Sequence, residues 1–141
     1  MSRSIWVGSF EELGPIVIPI REQVFVVEQG VPPEIERDDR DEVSQHVVLV
    51  EDGLFVGTGR IDLEHDGKIG RLAVLERSRN RNFGTLIMRA LEEIAKREDL
   101  VSVWLHSQTV VIPFYRQLGY VEDGDSFTEA GISHVLMRKE L

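Results

Sequence analysis

The chain predicts a mixed α/β (α+β) layer fold, one sheet with helices packed on it, and three observations carry that prediction. Asp52-Gly53 and Asp66-Gly67 divide three β-rich runs, and Asp-Gly between such runs is a strong hairpin signal. Apolar residues recur at helical spacing in two other stretches. Helical and strand-like segments alternate along 141 residues without a repeat, a low-complexity block or a long linker. A single domain over residues 1–141 is therefore expected.

Ile5-Trp6-Val7 is the first strand. Ile16, Ile20, Val24 and Val27 place a helix from Pro15 to Gln29, with Pro15 in its first turn and Gly30 and Pro32-Pro33 ending it. His46 to Val50, Leu54 to Leu63 and Lys68 to Leu75 form an antiparallel meander. Leu86, Ala90, Leu91, Ile94 and Ala95 mark a second helix from Gly84 to Arg97. Val101 to Leu105 is a buried strand, and Val110 to Leu118 is a third helix closed by Gly119. Tyr120-Val121 begins a further strand. The last strand runs from Ser133 to Arg138, with Val135 and Met137 on one face and His134 and Leu136 on the other.

Composition excludes several chemistries. With no cysteine, disulfides, thiolate metal sites and cysteine nucleophiles are ruled out. Sixteen basic against 25 acidic residues give a net charge of −9, which argues against a nucleic-acid partner because phosphate binding needs a basic surface. It is compatible with a cationic substrate, or with solubility alone. The N-terminus lacks a signal-peptide core and no apolar run is long enough to span a bilayer. A soluble cytoplasmic protein is expected, with no membrane contact. Glu34 to Glu42 is acidic and poor in apolar residues; Arg37 and Arg40 interleave with it. It reads as a solvated loop whose pairs contribute little; the alternative is a rim that attracts a cationic amine.

Chemistry concentrates where the strand Arg71-Leu72-Ala73-Val74-Leu75 turns into the second helix. A helix N-terminus carries free N–H groups and partial positive charge, so it binds anions readily. Arg77, Arg79 and Arg81 add formal charge there. Gly84 admits a close backbone approach, and Asn80 and Asn82 tolerate left-handed angles. Neither the P-loop nor the dinucleotide glycine pattern is present. On its own residues the turn is either a pyrophosphate cradle or a solvated basic turn.

Arg79-Asn80-Arg81-Asn82-Phe83-Gly84 resembles the Arg/Gln-x-x-Gly-x-Gly/Ala loop of the GNAT superfamily of N-acetyltransferases. Other blocks are similar to its ElaA-like subgroup, in order and at matching spacing: Val24 to Pro32, the acidic run, His46, Gln108, Phe114 to Tyr120, and Phe127 to His134. The resemblance implies a central mixed, mostly antiparallel sheet with helices on both faces, two of its strands splayed to admit acetyl-CoA as co-substrate. It implies that the amides of Arg79, Asn80, Arg81, Asn82, Phe83, Gly84 and Thr85 hold the pyrophosphate, and that Leu72, Ala73 and Val74 hydrogen-bond the pantetheine. No metal is implied. One departure stands out: Asn82 occupies the place of the loop's first glycine. Asn adopts the same backbone angles at modest cost, although its side chain crowds a phosphate.

Acyl transfer to an amine needs a neutral amine, a stabilised oxyanion and a protonated leaving thiolate. By resemblance, Tyr115 is the general acid, also touching the coenzyme, and the Val74 N–H is the oxyanion donor. Glu28, His46, Glu129 and His134 are candidates for the base or for holding the acceptor, with Glu28 the first choice as base. His106 and Gln108 lie near the expected thioester, Gln108 orienting the acyl group or the acceptor. The expected activity is acetyl-CoA-dependent N-acetylation of a small-molecule amine by direct attack in a ternary complex. The alternatives are a coenzyme-A-binding sensor without catalysis and a transferase for longer acyl chains. A homodimer is left open.

Overall fold

In the computed structural model, which describes residues 2–141, eight strands form one open sheet among the described residues. The chain runs β1 (Arg3–Gly8), α1 (Phe10–Arg21), α2 (Pro33–Glu36), β2 (Gln45–Glu51), β3 (Leu54–Asp62), β4 (Lys68–Val74) and α3 (Phe83–Arg97). It continues through β5 (Ser102–Gln108), α4 (Ile112–Gln117), β6 (Val121–Glu122), β7 (Phe127–Glu129) and β8 (Ile132–Glu140). The spatial order is β1-β2-β3-β4-β5-β8-β6, with β7 on β8. All pairings are antiparallel except β4 with β5. Among the described residues no helix is long and apolar enough to cross a membrane.

Local chemistry explains most elements. Asp52-Gly53, with φ of 50° and 80°, is the left-handed pair that the two-residue β2–β3 turn needs, and Asp66-Gly67, with 56° and 76°, closes the five-residue connection 63–67 between β3 and β4. α3 turns Ile87, Met88, Leu91, Ile94 and Ala95 inward, each large side chain contributing about 1.5–3 kcal/mol by leaving water. β2 serves both layers: Val47 and Leu49 pack under α3, while Val48 and Val50 pack under α1. Helices thus cover both faces, as expected.

Three assignments need correction. α1 starts at Phe10, five residues before the expected start, because Ser9 and Glu12 form a capping box. Pro15 and Pro19 therefore lie inside the helix, which continues past Arg21 as a π-helix over Glu22–Glu28. β7 was not anticipated; it forms a hairpin with β8 around Ala130-Gly131, both at positive φ. The acidic run is no solvated loop: it holds α2, and Glu36 and Asp41 are 2% and 0% exposed.

β4 carries the feature that shapes the site. Thr58 pairs with Ala73 but Arg60 pairs with Gly70, so Arg71 and Leu72 together oppose Gly59. This is a β-bulge, and Arg71 sits at φ 51°. Gly59 has no room for more: a Cβ there would lie 2.9 Å from both Ile87 and Leu91. The bulge also switches the faces of the strand. Ile69 packs in the α3 layer, as do Leu72 and Val74 beyond the bulge, whereas Ala73 and Leu75 belong to the α1 layer.

Candidate active site

The bulge opens the sheet. β4 and β5 pair at Lys68–Trp104 and Ile69–Leu105, then diverge, so the edge of β4 from Gly70 onward faces a gap. The Leu75 N–H bonds back to Val56 O at 2.9 Å. Alternation along the strand then points the Val74 N–H away from β3 and into the gap. That amide is a ready donor for a carbonyl or oxyanion lying there. The expected splay of two strands is present.

Beyond Val74 the chain makes a short 3-10 turn (Glu76–Ser78) and enters α3. Asn80 and Asn82 both take φ of 63°, the role anticipated for them. Asn82 is the N-cap and makes no side-chain capping bond, so the first-turn N–H groups of α3 stay available to an anion. The arginines do something else. Arg79 is bidentate on Glu28 at 2.8 and 2.9 Å and also donates to Val74 O. Arg81 is bidentate on Glu51 at 2.6 Å and lies over the Phe83 ring. Arg77 alone of the three is exposed. Phe83 is in the core, so only its backbone reaches a ligand. A Cβ on Gly84 would meet the Phe114 ring at 3.1 Å; packing on α4, as well as ligand approach, explains that glycine. The loop therefore fits a pyrophosphate through backbone amides and helix polarity, with the guanidinium charge largely matched internally. Asn82→Gly keeps the backbone angle and removes a side chain from the anion's approach. Coenzyme binding to that variant should be equal or tighter by titration calorimetry; clearly weaker binding would mean that the loop geometry is misread.

A cleft of about 430 Å³ adjoins the gap. Tyr115 of α4 lines it, 8% exposed, its ring edge-on to Phe114 and Tyr120. No hydrogen bond engages its hydroxyl among the described residues, and burial pushes the phenol pKa well above its ordinary value. Facing it, three strands bring together residues far apart in sequence. His106 (β5) places Nδ1 3.2 Å from Glu129 Oε1 (β7), and His134 (β8) places Nε2 3.7 Å from Glu129 Oε2. His134 Nδ1 lies 2.7 Å from Ile132 O; a carbonyl only accepts, so that nitrogen carries the proton and Nε2 of the neutral ring is basic. His106 Nδ1–H likewise donates to the Glu129 carboxylate, so that Nε2 is where the lone pair sits in the neutral ring. The His106 hydrogen bond, opposed by burial and helped by the nearby positive charges, holds Glu129 below the usual carboxylate range. Gln108 Nε2 donates to Gln29 Oε1 at 2.8 Å, so the end of the π-helix closes one side of the cleft.

Two expected residues lie elsewhere. His46 is 1% exposed, its Nε2 bonded to Asp41 O at 2.9 Å and its ring against Phe10. Burial holds its pKa below the ordinary value, so it is a neutral structural histidine away from the cleft. Glu28 borders a separate apolar groove with Pro19, Phe55 and Leu75, and its carboxylate is committed to Arg79. Neither is brought to Tyr115.

The acidic run instead builds the far wall of the cleft. Arg21, 1% exposed, donates to Glu36 Oε2 at 2.8 Å and to both oxygens of Asp41 at 2.6 and 3.0 Å. Arg60 bridges Asp38 (2.7 Å) and Asp41 (2.8 Å), and Arg40 pairs with Asp62 at 2.7 Å. The bulge re-aims Arg71 onto Glu36 O and Asp38. Glu36 Oε1 is buried without a partner among the described residues. The sequence signal for this wall was the presence of Arg21, Arg60 and Arg71 inside otherwise apolar elements, where an unpaired cation is disfavoured.

Known proteins align with this arrangement. The family profile described as "Acetyltransferase (GNAT) domain" matches residues 11–141. The Bacillus subtilis protein YyaT is 40% identical over 128 residues, covering 88% of this chain and 86% of its own. The N-acetyltransferase YjcF of the same organism is 39% identical over 123 residues, covering 86% of this chain and 88% of its own. Among solved structures, Escherichia coli ElaA superposes with a TM-score of 0.87 at 25% identity, covering 97% of this chain and 99% of that one.

Proposed function

The chain belongs to the GNAT acetyltransferase family and is an N-acyltransferase; from that premise we propose that it moves an acetyl group from acetyl-CoA to the amine of a small molecule by direct attack in a ternary complex. The observation that carries this reading is the meeting, beside the β4–β5 gap, of a buried phenol with a carboxylate-oriented imidazole, Tyr115 with His106–Glu129. When bound, acetyl-CoA supplies the acyl group as a thioester. The edge of β4 (Leu72, Ala73, Val74) and the amides of Arg79 to Thr85 hold it.

Each residue then has a definite task. Glu129 fixes the tautomer of His106, so that Nε2 accepts the proton an arriving ammonium must lose. His134 flanks the same carboxylate and keeps the array polar on the acceptor side. Tyr115 keeps its proton at neutral pH and donates it as a general acid. The Val74 N–H polarises the carbonyl that lies in the gap. Gln108, tied to Gln29, borders the acyl end of the cleft.

His106→Gln should lower kcat/KM by about 100-fold, the size of a lost general base, with coenzyme affinity retained. Glu129→Gln should cost less, because the imidazole remains. Free-thiol release, measured with acetyl-CoA and a broad amine panel, reads both effects. Acetyl-CoA binding without transfer to any amine would leave a coenzyme-binding module instead.

A further inference from the structure

Among the described residues every charged side chain lining the cleft has an opposite charge or a histidine at contact distance, with one exception. Arg40 has Asp62, Arg60 has Asp38 and Asp41, and Arg71 has Glu36 and Asp38. Glu129 lies between His106 and His134. Lys68 also lines the cleft, and among the described residues no carboxylate lies within ion-pair distance of its Nζ. Its ammonium rests over the Trp104 ring, 5.2 Å from the centroid. Burial, reinforced by the repulsion of Arg60 and Arg71 and opposed by Glu129 and Asp38, lowers the Lys68 pKa.

Its position relative to the proposed base is fixed by the sheet. Lys68 pairs with Trp104 across β4 and β5, and His106 follows two residues along β5, on the same face. The His106 ring stands edge-on to Trp104, 5.5 Å between centroids. Nζ and the imidazole therefore flank one indole, and a molecule with a few bonds between its amine and an anionic group spans them. A second cation finds no such partner. The carboxylates of the far wall are already matched, and the orphaned Glu36 Oε1 belongs to a carboxylate that Arg21 and Arg71 already engage.

Resting on the acyltransferase reading, we propose that the acceptor is an amine bearing an anionic group, a carboxylate in the simplest case, and that Lys68 is the specificity residue that holds this group. Arg71 lies close enough to favour the same anion, while its own hydrogen bonds stay with α2. The net charge of −9 is no guide here, because the acidic residues nearest the cleft are consumed by arginines.

The test uses amino carboxylates of graded length, each with its carboxamide and its decarboxylated amine, against the wild-type enzyme, Lys68→Arg and Lys68→Met at saturating acetyl-CoA. Calorimetric binding of the amino carboxylates in the presence of coenzyme A runs in parallel. The wild type should prefer a carboxylate over its carboxamide by about ten-fold or more in kcat/KM, the scale of a partly desolvated charge pair. Lys68→Met should erase that preference through KM, and Lys68→Arg should restore part of it. Carboxylate binding that is lost in Lys68→Met, without transfer to any amine, would uphold the anion site and overturn the acyltransferase reading. Efficient transfer to plain amines with no preference for an anion, or an unchanged KM in Lys68→Met, would uphold the transferase and overturn the proposal.

Discussion

Tyr115→Phe is expected to lower kcat by about 100-fold or more, within the span of a lost general acid, while the Kd for acetyl-CoA and the Tm stay near wild-type values. The ring keeps its packing against Phe114 and Tyr120, so the core loses no volume. The hydroxyl has no hydrogen-bond partner to abandon among the described residues, so stability should hold. Burial raises the phenol pKa, and a raised pKa keeps the protonated form dominant past its reference value of about 10. The variant should therefore be slower by the same factor at pH 7 and pH 9. A ratio that shrinks toward one at pH 9 would mean that the phenol ionises in that range despite its burial, whereas turnover equal to wild type at both pH values would remove Tyr115 from the chemistry. Steady-state kinetics with isothermal coenzyme titration separates these outcomes.

Arg21→Met is expected to destabilise the fold by about 3–5 kcal/mol, because deleting one partner of a buried network leaves charges without compensation. At this chain length that corresponds to a fall in Tm of roughly 10 °C or more. Glu36 and Asp41 would both lose their principal donor. Acid sensitivity should follow the same residues. Burial alone would raise the Asp41 pKa, but the hydrogen bond and charge of Arg21, together with Arg60, hold it low. Asp38 and Asp62 are likewise depressed against burial by Arg60 and Arg40. A depressed folded pKa gives stability that is present above the unfolded value, about 3.9, and lost as pH falls toward the folded one. Wild type should accordingly begin to lose stability near pH 4, and Arg21→Met should unfold at higher pH. Asp41→Asn added to Arg21→Met should cost less than the two single changes summed, since they share one contact. Thermal scans from pH 3 to pH 7 read both effects.

Much of this architecture was legible from residue patterns because its causes are local. The Asp-Gly turns, the stripe of α3 and the alternation in β8 all act over a few residues, and the structure has each of them. The start of α1 was equally local: Ser9 and Glu12 stand at capping-box spacing, yet Pro15 pulled the expected start five residues along. The far wall was legible only as composition. Arg60 and Asp38 are 22 residues apart, and Arg71 reaches Glu36 across 35, so no window of sequence shows that they pair. The same limit hid the His106–Glu129 contact and left His46 and Glu28 as candidates until their partners were known. Lys68 is inconspicuous in the sequence because a lysine at the start of a strand is ordinary; what distinguishes it is that no carboxylate among the described residues lies within ion-pair distance of its ammonium.

The extra residue in β4 has a consequence for how this strand tolerates change in length. On either side of Arg71-Leu72 the strand keeps its alternation, but the two halves are out of phase. Removing one residue between 70 and 72 would restore a single phase. Leu72 and Val74 would stay under α3 and Ala73 and Leu75 under α1, because Thr58–Ala73 and Arg60–Gly70 would then pair in the register of a regular strand. Arg71 would lose its reach to α2 in the same event. Substitutions here alter one contact each, whereas a deletion removes the local bend where β4 leaves β5 and keeps the register with β3 beyond it.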